Sequence, residues 1–149
     1  MRVRPALGAG VRITLFSLEA ANQVASELRP LLERLAQTKR EFERVDREVE
    51  VHALATSGAS HDNPDAVALE RLQRRRDALG EELAKGVQAV RRRGCILKDL
   101  NRGLLDFYAL SGDRLIFLCW QLGESEIAHW HTLEGGFAGR QPLDRSELE

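Results

Sequence analysis

The last third of the chain holds most of the side chains that could do chemistry. His129 and His131 lie two residues apart in residues 127–132, a segment with strand character. Because side chains alternate along a strand, both imidazoles point to one face and Trp130 points to the other. With Glu134 they would supply two nitrogens and one oxygen, a ligand set suited to zinc or a related divalent ion. The alternative is two exposed histidines beside a core tryptophan, because spacing alone fixes no third ligand.

Carboxylates form a second group of candidates. Asp106 lies between Leu105 and Phe107, and Glu124 follows Gly123 in a turn sequence. Two carboxylates that converge near an apolar wall can act as general acid and base, because burial separates their pKa values. The simpler interpretation is a solvent-facing strand aspartate and a turn glutamate. The candidate polar site on this part of the chain comprises Asp99, Asp106, Glu124, His131 and Arg140.

Arg140 follows a glycine-rich stretch, residues 135–139. Backbone N–H groups and a guanidinium that converge there could hold an anion. No helix clearly begins at this point, so we favour a structural role in which Arg140 pairs with Asp106 or Glu124 and ties the tail to the sheet. Asp99 also has structural interpretations, either in a salt bridge or as a cap on the turn at Asn101.

The two cysteines, Cys95 and Cys119, are too few for a disulfide framework, and each lies in an apolar run. We expect both to be small buried core residues in a reducing cytosol. A nucleophilic role for Cys119 would require an open, electropositive setting with His129 or His131 nearby. The sequence contains no phosphate-binding glycine loop, nucleophile elbow or metalloprotease helix motif, and no cofactor is predicted apart from the divalent metal considered above.

Composition excludes several classes of function. The 149 residues include 22 Lys plus Arg against 23 Asp plus Glu, a net charge of −1, so nucleic acid is not an expected partner. The arginine runs at 74–76 and 91–93 do not change this, because successive helical residues point about 100° apart. No apolar stretch is long enough to span a membrane and no secretory signal is recognisable. We therefore expect a cytoplasmic protein without a membrane partner.

The front half of the chain has helical periodicity. Residues 11–16 alternate as in a short strand, and Ser17 is a typical helix N-cap. Two mostly apolar rows then repeat every seven positions over five heptads. The rows are Ala21, Leu28, Leu35, Phe42, Val49 and Val24, Leu31, Thr38, Val45, His52. Pro30 lies inside this run, so we expect either a kink near residues 25–30 or two separate helices.

A second helix is predicted from Pro64 to about residue 93. Asn63 is its expected N-cap, and Gly94 is its expected left-handed C-cap. Two long helices joined by a loop at about residues 56–65 pack most simply as an antiparallel hairpin.

Folding the chain at that loop gives a register for the hairpin. Phe42 is expected near Arg76 and Leu35 near Leu83. Gly86 would then lie beside Leu31, where a missing side chain lets the helices approach.

After residue 94 the apolar pattern changes from helical to strand-like. Strands are predicted at 95–100, 104–110, 114–122 and 127–132, joined by short turns as in an antiparallel meander. A sheet with one face on the helices would bury Leu105, Phe107 and Phe117. The expected fold class is α+β, a long antiparallel helical hairpin kinked near Pro30 and packed with a small antiparallel β-meander.

The same patterns predict a single domain over residues 11–143. Its parts are the hairpin at 17–93, the meander at 95–132 and a glycine-rich tail at 133–143. Residues 1–10 are predicted to be a flexible N-terminus and residues 144–149 a frayed C-terminus.

Several groups of residues resemble a known family. They are Gly94-Cys95-Ile96-Leu97-Lys98-Asp99, Gly103-Leu104-Leu105-Asp106-Phe107, Leu118-Cys119-Trp120-Gln121-Leu122-Gly123-Glu124, Trp130-His131, and Gly135-Gly136-Phe137-Ala138-Gly139-Arg140-Gln141-Pro142. In this order they resemble an uncharacterised bacterial family catalogued as domain of unknown function number 2203, over about residues 14–143. The resemblance implies a small cytosolic bacterial protein and no particular activity.

Two classes of function follow from these patterns. The hairpin has more apolar surface than one pair of helices needs, because Leu32, Val51 and Val87 lie off the two rows. We expect a non-enzymatic interaction or assembly module that forms a homodimer through its helices. The alternative is a small enzyme, or a metal- or anion-binding protein, whose carboxylate, histidine and arginine site lies on the C-terminal sheet.

Overall fold

The computed structural model describes residues 3–5, 12–58 and 63–144. Within these residues it contains two α-helices, α1 (Leu18–Ala55) and α2 (Pro64–Arg92), and a short 3₁₀ helix, Phe137–Gly139. The strands are β1 (Val3–Pro5), β2 (Arg12–Thr14), β3 (Ile96–Asp99), β4 (Leu104–Ser111), β5 (Arg114–Gln121), β6 (His129–His131) and β7 (Gln141–Pro142). The fold class is α+β, as predicted. Neither helix is long and apolar enough to cross a membrane.

α1 begins at its predicted cap and runs through Pro30. The Ser17 hydroxyl oxygen accepts a hydrogen bond from the Ala20 N–H at 3.1 Å. The helix then continues without interruption to Ala55, so the alternative of two separate helices is wrong. Pro30 and Ser26 are both exposed. The Ser26 carbonyl, which loses its helical donor to the proline, therefore faces solvent and can bond water.

The two helices form the predicted antiparallel hairpin. Leu35 lies against Gly86, about one turn beyond the predicted Leu83, and Leu83 packs against the same core cluster as Leu35. Phe42 lies near Gly80, about one turn beyond the predicted Arg76. Residues three and four apart share a helix face, so these contacts fit the predicted facing stripes, whose register periodicity fixes only to about one turn.

The apolar core has two parts. The larger part lies between the sheet and the helices and includes Leu28, Leu32, Phe107 and Trp120. Leu32 is fully buried there, so it is not available for self-association as the sequence suggested. The smaller part consists of helix residues alone: Val45, Val49 and Leu79, with Phe42, Leu69 and Leu72 packed against them. In the described residues, the half of the hairpin next to the interhelical loop is therefore held together by helix–helix packing.

The C-terminal strands form the predicted meander, extended by one strand from the tail. The sheet has the order β3-β4-β5-β6-β7, and every neighbouring pair is antiparallel. β1 and β2 pair separately, and the Phe16 N–H donates to the Tyr108 carbonyl at 2.8 Å. β1 lies inside the segment predicted to be flexible. Residues 1–2, 6–11, 59–62 and 145–149 lie outside the described part of the chain.

One residue of the sheet, Phe117, lies on a different face from the one predicted. Leu105 and Phe107 pack against the helices as predicted. Phe117 lies on the other face, where its ring contacts Tyr108 and His131. Residues 116–120 are all buried, because both faces of β5 are covered. A continuous apolar run of this kind shows no alternation, so the sequence could not assign its faces.

Glycines in α2 allow a direct test of the hairpin packing. A Cβ at Gly86 would overlap the buried Leu35 side chain, whereas a Cβ at Gly80 would lie 3.5 Å from Phe42 Cε1. Alanine is favoured over glycine in a helix by about 1 kcal/mol. We expect Gly80→Ala to raise the free energy of unfolding by up to about 1 kcal/mol, and Gly86→Ala to lower it by about 1–3 kcal/mol through overpacking. Urea denaturation of both variants measures the difference, and equal stabilisation would contradict the close approach at Gly86.

Candidate functional site

The face of the sheet that lies opposite the helices carries a row of polar side chains. Asp106 on β4 pairs with Cys119 on β5, and Cys119 pairs with His129 on β6. Directly paired residues share a face, so these side chains lie next to one another. Asp106 and Cys119 are 1% and 0% exposed. This face is therefore closed to solvent at its centre, and Asp106 is not the solvent-facing aspartate of the simpler sequence interpretation.

The side chain of His131, on β6, extends across β5 and contacts Asp106 on β4. It pairs with Phe117, one position along the row from Cys119 on the same face. Its Nε2 lies 3.0 Å from Asp106 Oδ1, and its Nδ1 lies 2.7 Å from the Thr132 carbonyl oxygen. Both side chains of the pair are only 2% exposed. The contact thus joins β4 to β6, two strands that are not neighbours in the sheet.

The hydrogen bonds of His131 determine what can lie between it and Asp106. A carbonyl oxygen only accepts, so Nδ1 carries a hydrogen and donates it to Thr132. Nε2 then faces a carboxylate oxygen, which also only accepts when it is ionised. Two acceptors at 3.0 Å in a buried site repel each other unless a proton or a metal ion lies between them.

Cys119 completes a group of three buried donors. One donor atom each of Asp106, Cys119 and His131 lies within 4.8 Å of the other two. Burial raises the pKa of the Cys119 thiol to about 11, and the charge of Asp106 adds to this effect. The free thiol is therefore protonated near neutral pH and lacks the thiolate character of a nucleophile. The structure gives no support to nucleophilic catalysis by Cys119.

Glu124 and Arg140 lie beside this group and hold the tail against the sheet. Arg140 Nη2 donates to both carboxylate oxygens of Glu124 at 2.9 Å and to the Cys119 carbonyl at 3.4 Å. The Arg140 guanidinium also lies over the Phe137 ring, and Arg102 lies over the same ring. Of the two partners expected for Arg140, Asp106 and Glu124, the structure shows Glu124.

The turn that carries Glu124 is positioned by α1. Arg29 Nη2 and Trp120 Nε1 both donate to the Glu124 carbonyl, at 3.2 and 3.1 Å. The Gln121 N–H donates to Glu124 Oε1 at 2.8 Å. The first two bonds fix the Glu124 backbone, and the bond from Gln121 orients the carboxylate that Arg140 binds.

Most of the chain, residues 14–143, matches the family described as "Uncharacterized conserved protein (DUF2203)". The chain belongs to the DUF2203 family. The match includes α1, α2 and the whole five-stranded sheet, and so every residue of the polar row. No curated protein and no solved structure matches the chain.

In this DUF2203 protein, four of the five predicted site residues form two adjacent pairs. Asp106 contacts His131, and Glu124 contacts Arg140. Asp99 is not part of either pair. Its Oδ1 accepts a hydrogen bond from the Arg102 N–H at 3.2 Å, so it caps the turn after β3.

The predicted histidine-based metal ligands are only partly brought together. His129 and His131 share a face, and Trp130 packs against the core, as expected. Glu134, however, is exposed in the following turn. His129 Nδ1 lies 4.0 Å from Glu124 Oε2 and is not one of the three clustered donors. Of the predicted ligands, His131 is the one that joins a group of metal-ligating atoms.

Cys119 was not among the ligands predicted from the sequence, although the turn between β4 and β5 indicates its position. Gly112 and Asp113 form a two-residue connection between Ser111 and Arg114, which pair. A two-residue hairpin loop fixes the register of its strands. Counting back from that loop places Asp106 opposite Cys119.

The raised thiol pKa predicts low reactivity. Burial raises the pKa of both Cys95 and Cys119 to about 11, so very little thiolate exists at pH 7.5. We expect iodoacetamide to label neither cysteine in the folded DUF2203 protein at this pH and to label both in denaturant. Mass spectrometry of the alkylated chain measures this. Rapid labelling of Cys119 in the folded protein would contradict the burial of the site.

Proposed function

We propose that this protein binds a transition-metal ion of the zinc class through Asp106, Cys119 and His131. The observation that carries the proposal is the contact of His131 Nε2 with Asp106 Oδ1 at 3.0 Å, while Nδ1 is bonded to the Thr132 carbonyl. A metal ion supplies the positive charge that this buried pair of acceptors needs. The Cys119 sulfur lies close enough to be a third ligand.

The donor set fits the chemistry of zinc. Imidazole nitrogen, thiolate sulfur and carboxylate oxygen are its usual protein ligands. Tetrahedral zinc with bonds of about 2.0–2.1 Å to nitrogen and oxygen holds those atoms about 3.3 Å apart, which is about 0.3 Å more than the spacing of His131 and Asp106. The hydrogen bond from Nδ1 to a carbonyl is the outer contact that ligating histidines commonly make. Three protein ligands leave a fourth position for water or another ligand.

The surrounding charges are compatible with metal binding. Lys98 Nζ lies 3.9 Å from Asp106 Oδ2, but its side chain is 44% exposed and can turn toward solvent. Binding would displace the proton of the Cys119 thiol, as metals do when they bind cysteine. Without a metal, the Asp106–His131 contact remains a buried link between β4 and β6.

Cobalt provides a direct test of the three ligands. Full-length protein freed of metal and titrated with Co²⁺ is expected to bind one equivalent and to show the near-ultraviolet absorption of a thiolate–cobalt bond. Cys119→Ser is expected to lose this absorption. Cys95→Ser is the matched control, because Cys95 is equally buried but lies in the core on the helix side of the sheet. Zinc added in excess is expected to displace the cobalt and abolish the band.

The result that overturns the proposal is also specific. A wild-type chain that remains folded by circular dichroism but shows no thiolate–cobalt absorption has no such site. Absorption that persists in Cys119→Ser, or that is lost equally in Cys95→Ser, would assign the metal to other residues.

We also propose that the protein self-associates through its helical hairpin, on a separate observation. The loop-proximal half of the hairpin has a small core of helix residues. Three large apolar side chains are exposed there, Val51 at 64%, Leu54 at 82% and Val67 at 40%. Exposed apolar residues grouped at one end of a helix pair favour association with another apolar surface.

Self-association is tested by the mass of the full chain in solution. We expect light scattering to show a mass that rises toward twice that of the chain as concentration increases through the micromolar range. A strict monomer at high micromolar concentration would contradict this proposal without affecting the metal site.

A further inference from the structure

A groove between the two helices offers a receptor surface for apolar side chains. Its lining comes from α1 and α2 alone, and it has a volume of about 370 Å³. Leu31, Leu35, Gly86 and Ala89 form its buried or half-buried part, whereas Glu82 and Lys85 are exposed beside it. The Leu35 side chain occupies the space next to Gly86, so Leu35 and the Gly86 backbone both line the groove at this level.

Val67 lies on the same side of α2, near the other end of that helix. Counting back from the groove in steps of three and four gives the stripe Ala89, Lys85, Glu82, Ala78, Arg75, Arg71 and Val67. Residues at these spacings share one face of a helix. Val67 is 40% exposed, so one face of α2 presents an apolar side chain at one end and a groove at the other.

We propose that a second copy of this chain packs on this face, with the two α2 helices antiparallel about a twofold axis level with the Arg76–Asp77 peptide bond. Positions 67 and 86 are equidistant from that bond, so Val67 of each copy meets the groove at Gly86 of the other. The arrangement rests on the proposed self-association and specifies its surface and register.

The charges of α2 support this pairing. Within six residues of the axis, the charged residues before it are basic and those after it are acidic: Arg71, Arg74, Arg75 and Arg76 precede Asp77, Glu81 and Glu82. An antiparallel symmetric pair places the basic segment of each copy against the acidic segment of the other, whereas a parallel pair places like charges together. The twofold axis that brings Val67 to the groove therefore also brings the basic segment of one copy to the acidic segment of the other.

One charge pair is free to form across this interface. Positions 71 and 82 are also equidistant from the axis. Arg75 and Arg76 are engaged within the chain by Glu41 and Asp46. Among the described residues, Arg71 and Glu82 take part in no salt bridge within the chain. Each dimer would therefore contain two Arg71–Glu82 contacts, related by symmetry.

Charge reversal tests the register. In the full-length protein, Arg71→Glu and Glu82→Arg each place two pairs of like charges across the interface. Each single variant is expected to raise the dimer dissociation constant by about tenfold or more at low salt. The double variant, Arg71→Glu with Glu82→Arg, restores opposite charges and is expected to return the constant to within about threefold of wild type. Sedimentation equilibrium measures the constants.

A matched control is available at the neighbouring position. Glu70 is exposed and bonded to Arg74, and it lies off the stripe, so Glu70→Arg is expected to leave the constant within about threefold of wild type. If the wild type dimerises but the double variant is no tighter than the single ones, this register is wrong while self-association stands. A wild type that stays monomeric overturns both. Circular dichroism of each variant confirms that the helices are intact.

Discussion

The contact between Asp106 and His131 joins two buried polar side chains across the full width of β5. A polar group buried without a partner costs several kcal/mol, so each of these residues depends on the other being in place. The contact requires β6 to lie in one register on β5. It also requires a cover over that face, which the tail supplies by pairing Arg140 with Glu124 and packing Phe137 under the guanidinium. The register of β6 and the position of the tail are therefore both tied to this one pair.

The two parts of the helical hairpin differ in what they contact. The sheet-proximal part of the hairpin forms the apolar core and also orients the site, because Arg29 on α1 binds the carbonyl of Glu124. Among the described residues, the loop-proximal part has its own small core of helix residues. The proposed metal site and the proposed self-association therefore rest on different groups of residues, and the uncharacterised family to which the chain belongs favours neither.

Much of the fold was predictable because it depends on local rules. The Ser17 cap, the left-handed Gly94 at φ +92° directly after the C-cap Arg93, and the meander order follow from turn chemistry and apolar spacing. Expectations were wrong where those rules are degenerate. A slip of one turn hardly changes a helical stripe, so periodicity did not single out Gly86, about one turn from Leu83, as a contact of Leu35. A strand buried on both faces shows no alternation of apolar and polar residues, so the face predicted for Phe117 was wrong.

For the site itself, the sequence alone determined that Asp106, Cys119 and His131 lie on three successive antiparallel strands. The predicted strands leave three residues between β4 and β5, whereas the structure has a two-residue turn that sets Asp106 opposite Cys119. The sequence also did not determine that His131 reaches Asp106. The connection from β5 to β6 spans residues 122–128, too long for its turn chemistry to set a register. That register depends on docking against α1, where the Asn22 side-chain oxygen accepts a hydrogen bond from the Ile127 N–H at 2.7 Å. Only the tertiary structure brings these distant positions together, and so only it decides which histidine joins the buried group.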